Sequence, residues 1–125
     1  MKSYITVVET RPFIEDAERC LSEEEREDFI SYIARNPIVG ARIPGTGGIR
    51  KVRWRGSGHG KRGGVRIIYY YHTERIPLFL LAAYAKGRQS DLTPRERSAM
   101  RRLATQIVAQ YVSRETSGKR RRRHD

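Results

Sequence analysis

Cationic side chains are concentrated in the middle of this 125-residue chain. Residues 42–66 carry eight basic residues and no acidic one, whereas residues 1–35 carry five basic and nine acidic side chains. Lys51, Arg53 and Arg55 stand at alternate positions, so a β-strand would project all three from one face. A row of cations without compensating carboxylates attracts polyanions, and nucleic acid is the expected partner.

Further basic and aromatic residues can join this row from neighbouring segments. Arg66 follows on the next predicted strand, and Lys61 and Arg62 lie in the glycine-rich loop between the two strands. Lys86 and Arg88 follow the last predicted strand. Basic groups hold phosphates and aromatic faces stack on unpaired bases. The interleaved aromatic residues are Trp54, Tyr69, Tyr70, Tyr71 and Tyr84. Since tyrosine is a good strand residue, about two thirds of them are expected to pack in the core.

Other kinds of chemical site are not supported by the residue pattern. Only three residues separate Gly56 from Gly60, and Arg62 stands where a nucleotide-binding phosphate loop needs a metal-binding Ser or Thr. The chain has three scattered histidines, His59, His72 and His124. They lack clustered Cys or carboxylate partners, so neither a metal nor another cofactor is predicted. The single cysteine, Cys20, cannot form an internal disulfide and is predicted to pack in the core.

Composition restricts the class of protein. The chain has 26 basic and 14 acidic residues, a formal net charge of +12 and 38% hydrophobic residues, which is a globular composition with a strong basic surplus. The longest apolar run, Ile76 to Ala85, is too short to span a membrane, and no long apolar signal segment opens the sequence. With one cysteine, the expected location is the cytoplasm, without a membrane partner.

Local signals predict one strand, two helices, three strands and a final helix. Ser22 with Glu25 forms a capping box, and Thr93, Pro94 and Glu96 form a second helix start. The predicted strands are 3–8, 49–55, 65–72 and 77–85, and the predicted helices are 13–21, 22–35 and the segment after 93. Short links favour an antiparallel meander of the last three strands, so the fold class is α+β. Residues 1–113 are predicted to form a single domain, followed by a basic, disordered tail over residues 114–125.

Two stretches of the sequence resemble a known family. PGTGGIRKVRWRGSGHGKRGGVRIIYYYH, followed by LFLLAAYAKGRQSDLT and a terminal helix, is similar to the RelE/ParE superfamily of type II toxins. The similarity covers roughly residues 40–110 and is strongest to the HigB-like branch of the RelE-type toxins. It implies a RelE-like fold with a small, mostly antiparallel sheet, two N-terminal helices and a C-terminal helix.

The resemblance also implies an activity and its partners. RelE-type toxins are ribosome-dependent endoribonucleases (mRNA interferases) that inhibit translation by cutting messenger RNA in the A site of the small ribosomal subunit. They use no metal or other cofactor, because the ribose 2′-OH attacks the adjacent phosphate. A protein antitoxin neutralises the toxin, and contact with operator DNA is expected only through that antitoxin.

Site residues are carried over from the family position by position. Lys51 and Arg53 match the basic pair before the loop, where one of them serves as proton acceptor or charge stabiliser. Arg66 matches the arginine that holds the scissile phosphate, and Lys86 matches a basic residue that assists the leaving group. Tyr84 is expected to stack on a base or donate its hydroxyl. The residues predicted to bind the surrounding RNA are Arg50, Arg55, Lys61, Arg62 and Arg88.

Departures from the family pattern leave the general acid and base open. Gly87 stands where RelE has an arginine, Thr93 falls where RelE has a stacking tyrosine, and the Glu and His pair of YoeB-like members has no match. Two other functions therefore remain open at this point. One is a ParE-like gyrase poison, and the other is a non-catalytic module that binds nucleic acid or an antitoxin.

Overall fold

The structure, a computed structural model, describes residues 4–54, 64–85 and 92–124, with side chains described as far as residue 114. The strands are β1 (Val7–Glu9), β2 (Ala41–Arg42), β3 (Ile49–Trp54), β4 (Val65–Tyr70) and β5 (Leu78–Ala85), and the helices are α1 (Arg11–Cys20), α2 (Glu23–Arg35) and α3 (Pro94–His124). The strands form one sheet in the order β1-β5-β4-β3-β2. β3, β4 and β5 form the predicted antiparallel meander, and β1 runs parallel to β5. The α+β fold class is confirmed.

The N-terminal helices begin at side chains that satisfy their free backbone N–H groups. The Thr10 hydroxyl caps α1, and Pro12 occupies its first turn, where a missing N–H removes no helical hydrogen bond. α2 begins with the predicted capping box. The Ser22 hydroxyl accepts from the Glu25 N–H at 3.1 Å, and the Glu25 carboxylate accepts from the Ser22 N–H at 2.8 Å.

Helices cover both faces of the sheet, which gives two apolar clusters. The first joins α1 and α2 to one face and contains Phe13, Phe29, Ile67 and Leu80, all fully buried. The second lies on the opposite face, where α3 contributes to a cluster of Ile43, Ile49, Ile68, Tyr70, Ile76, Leu81, Leu92, Ala104 and Ile107. Successive side chains of β3 therefore face α1 and α2 on one side of the sheet and α3 on the other.

The first strand and the helix that follows it differ from the predicted ranges. β1 covers Val7–Glu9 rather than residues 3–8, because it pairs with Leu78–Leu80 and β5 begins only after Pro77. α1 already begins at Arg11, before the predicted residue 13. β5 lies between β1 and β4, so it is an interior strand of the sheet.

The C-terminal helix is longer than predicted. The α3 backbone continues to His124, where the sequence analysis expected a disordered tail from residue 114. Arginine and lysine, which fill much of this segment, have high helix propensity. The domain boundary at residue 113 stays a prediction. Within the described ranges, no helix has both the length and the apolar character needed to cross a membrane.

Tyr69 ties the link between α2 and β2 to the sheet. Its ring is fully buried, and its hydroxyl accepts from the Gly40 N–H and donates to the Pro37 carbonyl, each at 2.8 Å. A Cβ atom at Gly40 would lie only 2.8 Å from the Tyr69 ring and 2.9 Å from the Lys51 carbonyl oxygen. Burial raises the pKa of Tyr69, against a smaller lowering effect of the Gly40 hydrogen bond and the Arg50 charge. The phenol therefore stays neutral at physiological pH.

We expect Tyr69→Phe to lower the free energy of unfolding by about 1–3 kcal/mol, because it leaves two backbone groups without their buried partner. Urea denaturation measures this difference. The matched control is Tyr71→Phe, at a half-buried tyrosine with no hydroxyl hydrogen bond recorded in the described part of the chain. Equal unfolding midpoints for the two variants would contradict the anchoring role of Tyr69.

Candidate functional site

Three of the predicted site residues form a row across adjacent strands. Arg53 on β3 pairs with Arg66 on β4, and Arg66 pairs with Tyr84 on β5. Directly opposed residues of antiparallel strands project from the same face, with Cβ atoms about 4.5–5.5 Å apart. The sheet therefore places two guanidinium groups and one phenol side by side. We call Arg53, Arg66 and Tyr84 the cross-strand row.

Lys51 adds a further cation to the same face. It stands two residues before Arg53 and pairs with Ile68, which in turn pairs with Ala82. Ile68 is fully buried in the α3-side cluster, so this is the face that α3 covers. The other end of that face is closed by the buried pair of Ile49 and Tyr70. The cations thus occupy one end of a sheet face whose other end is apolar core.

The electrostatic character of the cross-strand row is strongly positive. Arg53 is exposed and Arg66 is half-buried. Within the described part of the chain, neither side chain has a recorded hydrogen bond or ion pair, and the two recorded ion pairs, Arg19–Asp16 and Arg26–Glu9, lie elsewhere. Like charges directly opposite each other on a sheet are destabilising. An anion bridging both guanidinium groups would relieve that repulsion.

Arg50 is not brought into this group. The alternation of β3 places it on the opposite face, beside Val52 and Trp54. Its guanidinium donates to the carbonyl oxygens of Ile38 at 3.2 Å and Gly40 at 2.7 Å. These contacts give Arg50 a structural attachment to the segment before β2. The other predicted cations, Arg55, Lys61, Arg62, Lys86 and Arg88, lie outside the described residues.

Most of the interleaved aromatic residues serve the core. Trp54 packs against α2, with its ring centroid 5.3 Å from that of Phe29 and 5.2 Å from that of Tyr32. Tyr69 and Tyr70 are buried, and burial raises the pKa of Tyr70 as well. Tyr84 is the aromatic residue that the sheet aligns with Arg53 and Arg66. The expectation that most of these rings pack in the core is confirmed for these three residues.

Next to the cross-strand row lies a cavity that the sequence did not predict. It has a volume of about 400 Å³, and Tyr84 lines it together with residues of α1 and of the first turns of α3. Asp16 of α1 reaches this edge of the sheet, where its Oδ2 accepts from the Ala83 N–H at 3.0 Å. No local spacing connects residue 16 with residue 83, so only the tertiary fold shows this contact.

The side chains that could bind a metal ion are scattered in the described part of the chain. Among the residues that the structure describes, no group of three or more His, Cys, Asp or Glu side chains is arranged to hold a metal ion. That the protein works without a metal or other cofactor stays a prediction.

The fold and the site together define a small α+β domain whose sheet carries two directly opposed arginines beside a tyrosine. The sequence model of one protein family, described as the RelE toxin of the RelE/RelB toxin-antitoxin system, matches residues 15–118. The chain therefore belongs to the RelE toxin family, in agreement with the motifs in its sequence. Membership makes it the toxin of a toxin–antitoxin system and implies an antitoxin as its partner.

Removal of one like charge from the row should stabilise the free protein. We expect Arg53→Gln to raise the free energy of unfolding by about 0.2–1 kcal/mol at low salt, since Arg53 directly opposes Arg66. The gain should shrink at about 1 M salt, where charges are screened over about 3 Å. Denaturation at the two salt concentrations measures it, with Arg75→Gln, at an exposed arginine beyond the far end of β4, as the control. A destabilised Arg53→Gln would contradict the repulsion.

Proposed function

We propose that this toxin is a ribosome-dependent mRNA endoribonuclease of the HigB-like RelE branch, which inhibits translation by cutting messenger RNA in the ribosomal A site. The observation that supports it most is the cross-strand row, with Lys51 on the same face. Cations from separate strands meet at one place, as the binding of a single phosphodiester requires. The requirement for the ribosome, the A-site location and the HigB-like branch come from the family resemblance.

The proposed reaction is an internal transesterification. The ribose 2′-oxygen forms a bond to the adjacent phosphorus, and the bond from phosphorus to the 5′-oxygen breaks, which gives a 2′,3′-cyclic phosphate and a 5′-hydroxyl. A base takes the 2′ proton, and an acid supplies a proton to the leaving 5′-oxygen. Negative charge builds up on the phosphorane oxygens during the step. Preplaced guanidinium groups stabilise that charge without reorganisation, which lowers the barrier.

Each residue has a proposed role in that step. Arg66, in the middle of the cross-strand row, holds the scissile phosphate. Lys51 and Arg53 supply the proton acceptor and a second stabilising charge. Tyr84 stacks on a neighbouring base or donates its hydroxyl, and Lys86 assists the leaving group. The residues proposed to hold the flanking RNA are Arg55, Lys61, Arg62 and Arg88.

The partners follow from the proposed activity. The substrate is messenger RNA on the small ribosomal subunit, so the activity belongs in the cytoplasm. The antitoxin blocks the toxin, and the pair reaches operator DNA through the antitoxin. A toxin with a net charge of +12 is suited to both polyanionic RNA and an acidic protein partner.

Replacement of the central arginine should remove cleavage. We expect Arg66→Ala to lower the rate of mRNA cutting by about 10²–10³-fold, which is the usual cost of losing one preorganised group that stabilises the transition state. Primer extension on transcripts after brief induction measures the cuts within translated codons. The matched control is Arg75→Ala, which removes the same charge from an exposed turn beyond the far end of β4.

Three outcomes of that experiment would contradict the proposal. Full cutting by Arg66→Ala would remove the row from the mechanism. Growth arrest with intact transcripts and broken chromosomes would indicate a gyrase poison. The absence of growth arrest after induction of the wild-type toxin would indicate a module that binds its partners without catalysis.

The ribosome should be required for efficient cutting. A few cations without a strong base are weak catalysts on free RNA, because they stabilise charge but assist the proton transfers only weakly. We expect purified toxin to cut messenger RNA on programmed ribosomes at least about 10²-fold faster than the same RNA alone, the usual contribution of a positioned acid or base. Gel analysis of both reactions gives the ratio, with Arg66→Ala as the blank. Comparable rates on naked RNA would contradict ribosome dependence.

A further inference from the structure

The cavity beside the cross-strand row lies where α1, β4, β5 and α3 meet. The residues that line it include Asp16 and Cys20 of α1, Ile68 of β4, Tyr84 of β5 and Met100 of α3. Its volume of about 400 Å³ falls within the range of small-ligand sites. Its walls combine apolar and aromatic side chains with the carboxylates of Asp16 and Glu96 and with Arg19, which pairs with Asp16. A mostly apolar lining with a few polar groups is common in small-ligand sites.

The topology of the sheet creates this cavity. β1 pairs with β5 only over Leu78–Leu80, so no described strand pairs with the β1-side edge of β5 beyond Leu80. α1 takes the place of a strand there, and Asp16 accepts the hydrogen bond of the Ala83 N–H. A helix lies farther from a sheet edge than a paired strand does, because its side chains intervene. The space left between α1, β5 and α3 is the cavity.

Tyr84 connects the cavity to the proposed reaction site. It belongs to the cross-strand row as the neighbour of Arg66, and it also lines the cavity. Opposed cross-strand side chains begin about 4.5–5.5 Å apart. A nucleotide whose phosphate contacts Arg66 therefore has its base within reach of the Tyr84 ring and of the cavity that Tyr84 lines.

The chemistry of the lining selects among bases. The Asp16 carboxylate has about four acceptor positions and uses one on each oxygen, for the Ala83 N–H and for Arg19. Its remaining acceptor positions suit an amino group. Adenine, cytosine and guanine each carry an exocyclic amino group, whereas uracil presents a carbonyl oxygen at the position of the cytosine amino group. A carboxylate repels that oxygen.

We infer that this cavity binds the base adjacent to the scissile phosphate and that Asp16 selects bases with an amino group over uracil. The inference rests on the proposed function for its place in the reaction. The binding event itself is independent of cleavage and can be measured without it.

Cys20 provides a direct readout of occupancy. It is the single cysteine of the chain, it is half-buried, and it lines the cavity. We expect cytidine 3′-monophosphate to slow the reaction of Cys20 with N-ethylmaleimide, followed by mass spectrometry, at concentrations about tenfold lower than uridine 3′-monophosphate requires. Inorganic phosphate at equal ionic strength should give no protection. Equal protection by both nucleotides, protection by phosphate alone, or no protection by any probe would overturn the inference.

Asp16→Asn tests the selecting group. The amide keeps an oxygen for the Ala83 N–H and puts an N–H₂ donor in place of Oδ1, the acceptor of Arg19; loss of that surface pair costs little. We expect the variant to lose the tenfold preference for the cytidine nucleotide and to cut more often beside uridine. The control is Glu18→Gln, at an exposed position of the same helix. An unchanged nucleotide preference and cleavage pattern in Asp16→Asn would overturn the inference.

The two proposals fail in different ways. Cleavage by the wild-type toxin without nucleotide protection of Cys20 overturns the base site and leaves the nuclease intact. Protection that discriminates cytidine from uridine in a chain that cuts no RNA overturns the nuclease and keeps the base-binding cavity.

Discussion

The antiparallel register of β3, β4 and β5 is the constraint on which the site depends. It opposes Arg53 to Arg66 and Arg66 to Tyr84, so one row of the sheet gathers groups from three strands. A slip of one residue in either pairing would send the members of the row to opposite faces. The apolar residues of the same strands fix the register, because Ile67 and Ile68 must each meet a different helical layer. The core therefore positions the cations.

The opposed arginines lower the stability of the free protein, and packing elsewhere in the fold must offset that loss. Two arginines face each other without a recorded acidic partner in the described part of the chain, whereas the acidic residues are concentrated within residues 1–35. The helices formed by that segment pack on the other face of the sheet. Positive charge is thus kept at one end of one face, where an anionic ligand can relieve the repulsion. A functional site that is destabilising in the free protein is a common compromise.

Sequence reasoning predicted the three helices, the meander and the shared face of Lys51 and Arg53, because alternation within a strand and capping residues are local signals. It missed the two-residue strand β2 (Ala41–Arg42), which is too short to show an alternating pattern. It placed Arg66 and Tyr84 on the neighbouring strands. It did not show their direct opposition, since register depends on packing across the whole sheet. Arg50 was assigned to RNA on charge alone, whereas its guanidinium meets two backbone carbonyls. The cavity at Asp16 was missed because its lining comes from elements distant in the chain.

The central claim is that Arg53 and Arg66 together hold one phosphate of the messenger RNA. The most direct measurement is a structure of the toxin on a ribosome programmed with an mRNA whose A-site codon is 2′-O-methylated and cannot be cut. The account predicts non-bridging oxygens of a single phosphate within about 2.7–3.2 Å of both guanidinium groups. A bound mRNA whose phosphates lie away from this pair, or which contacts the opposite face of the sheet, would contradict it.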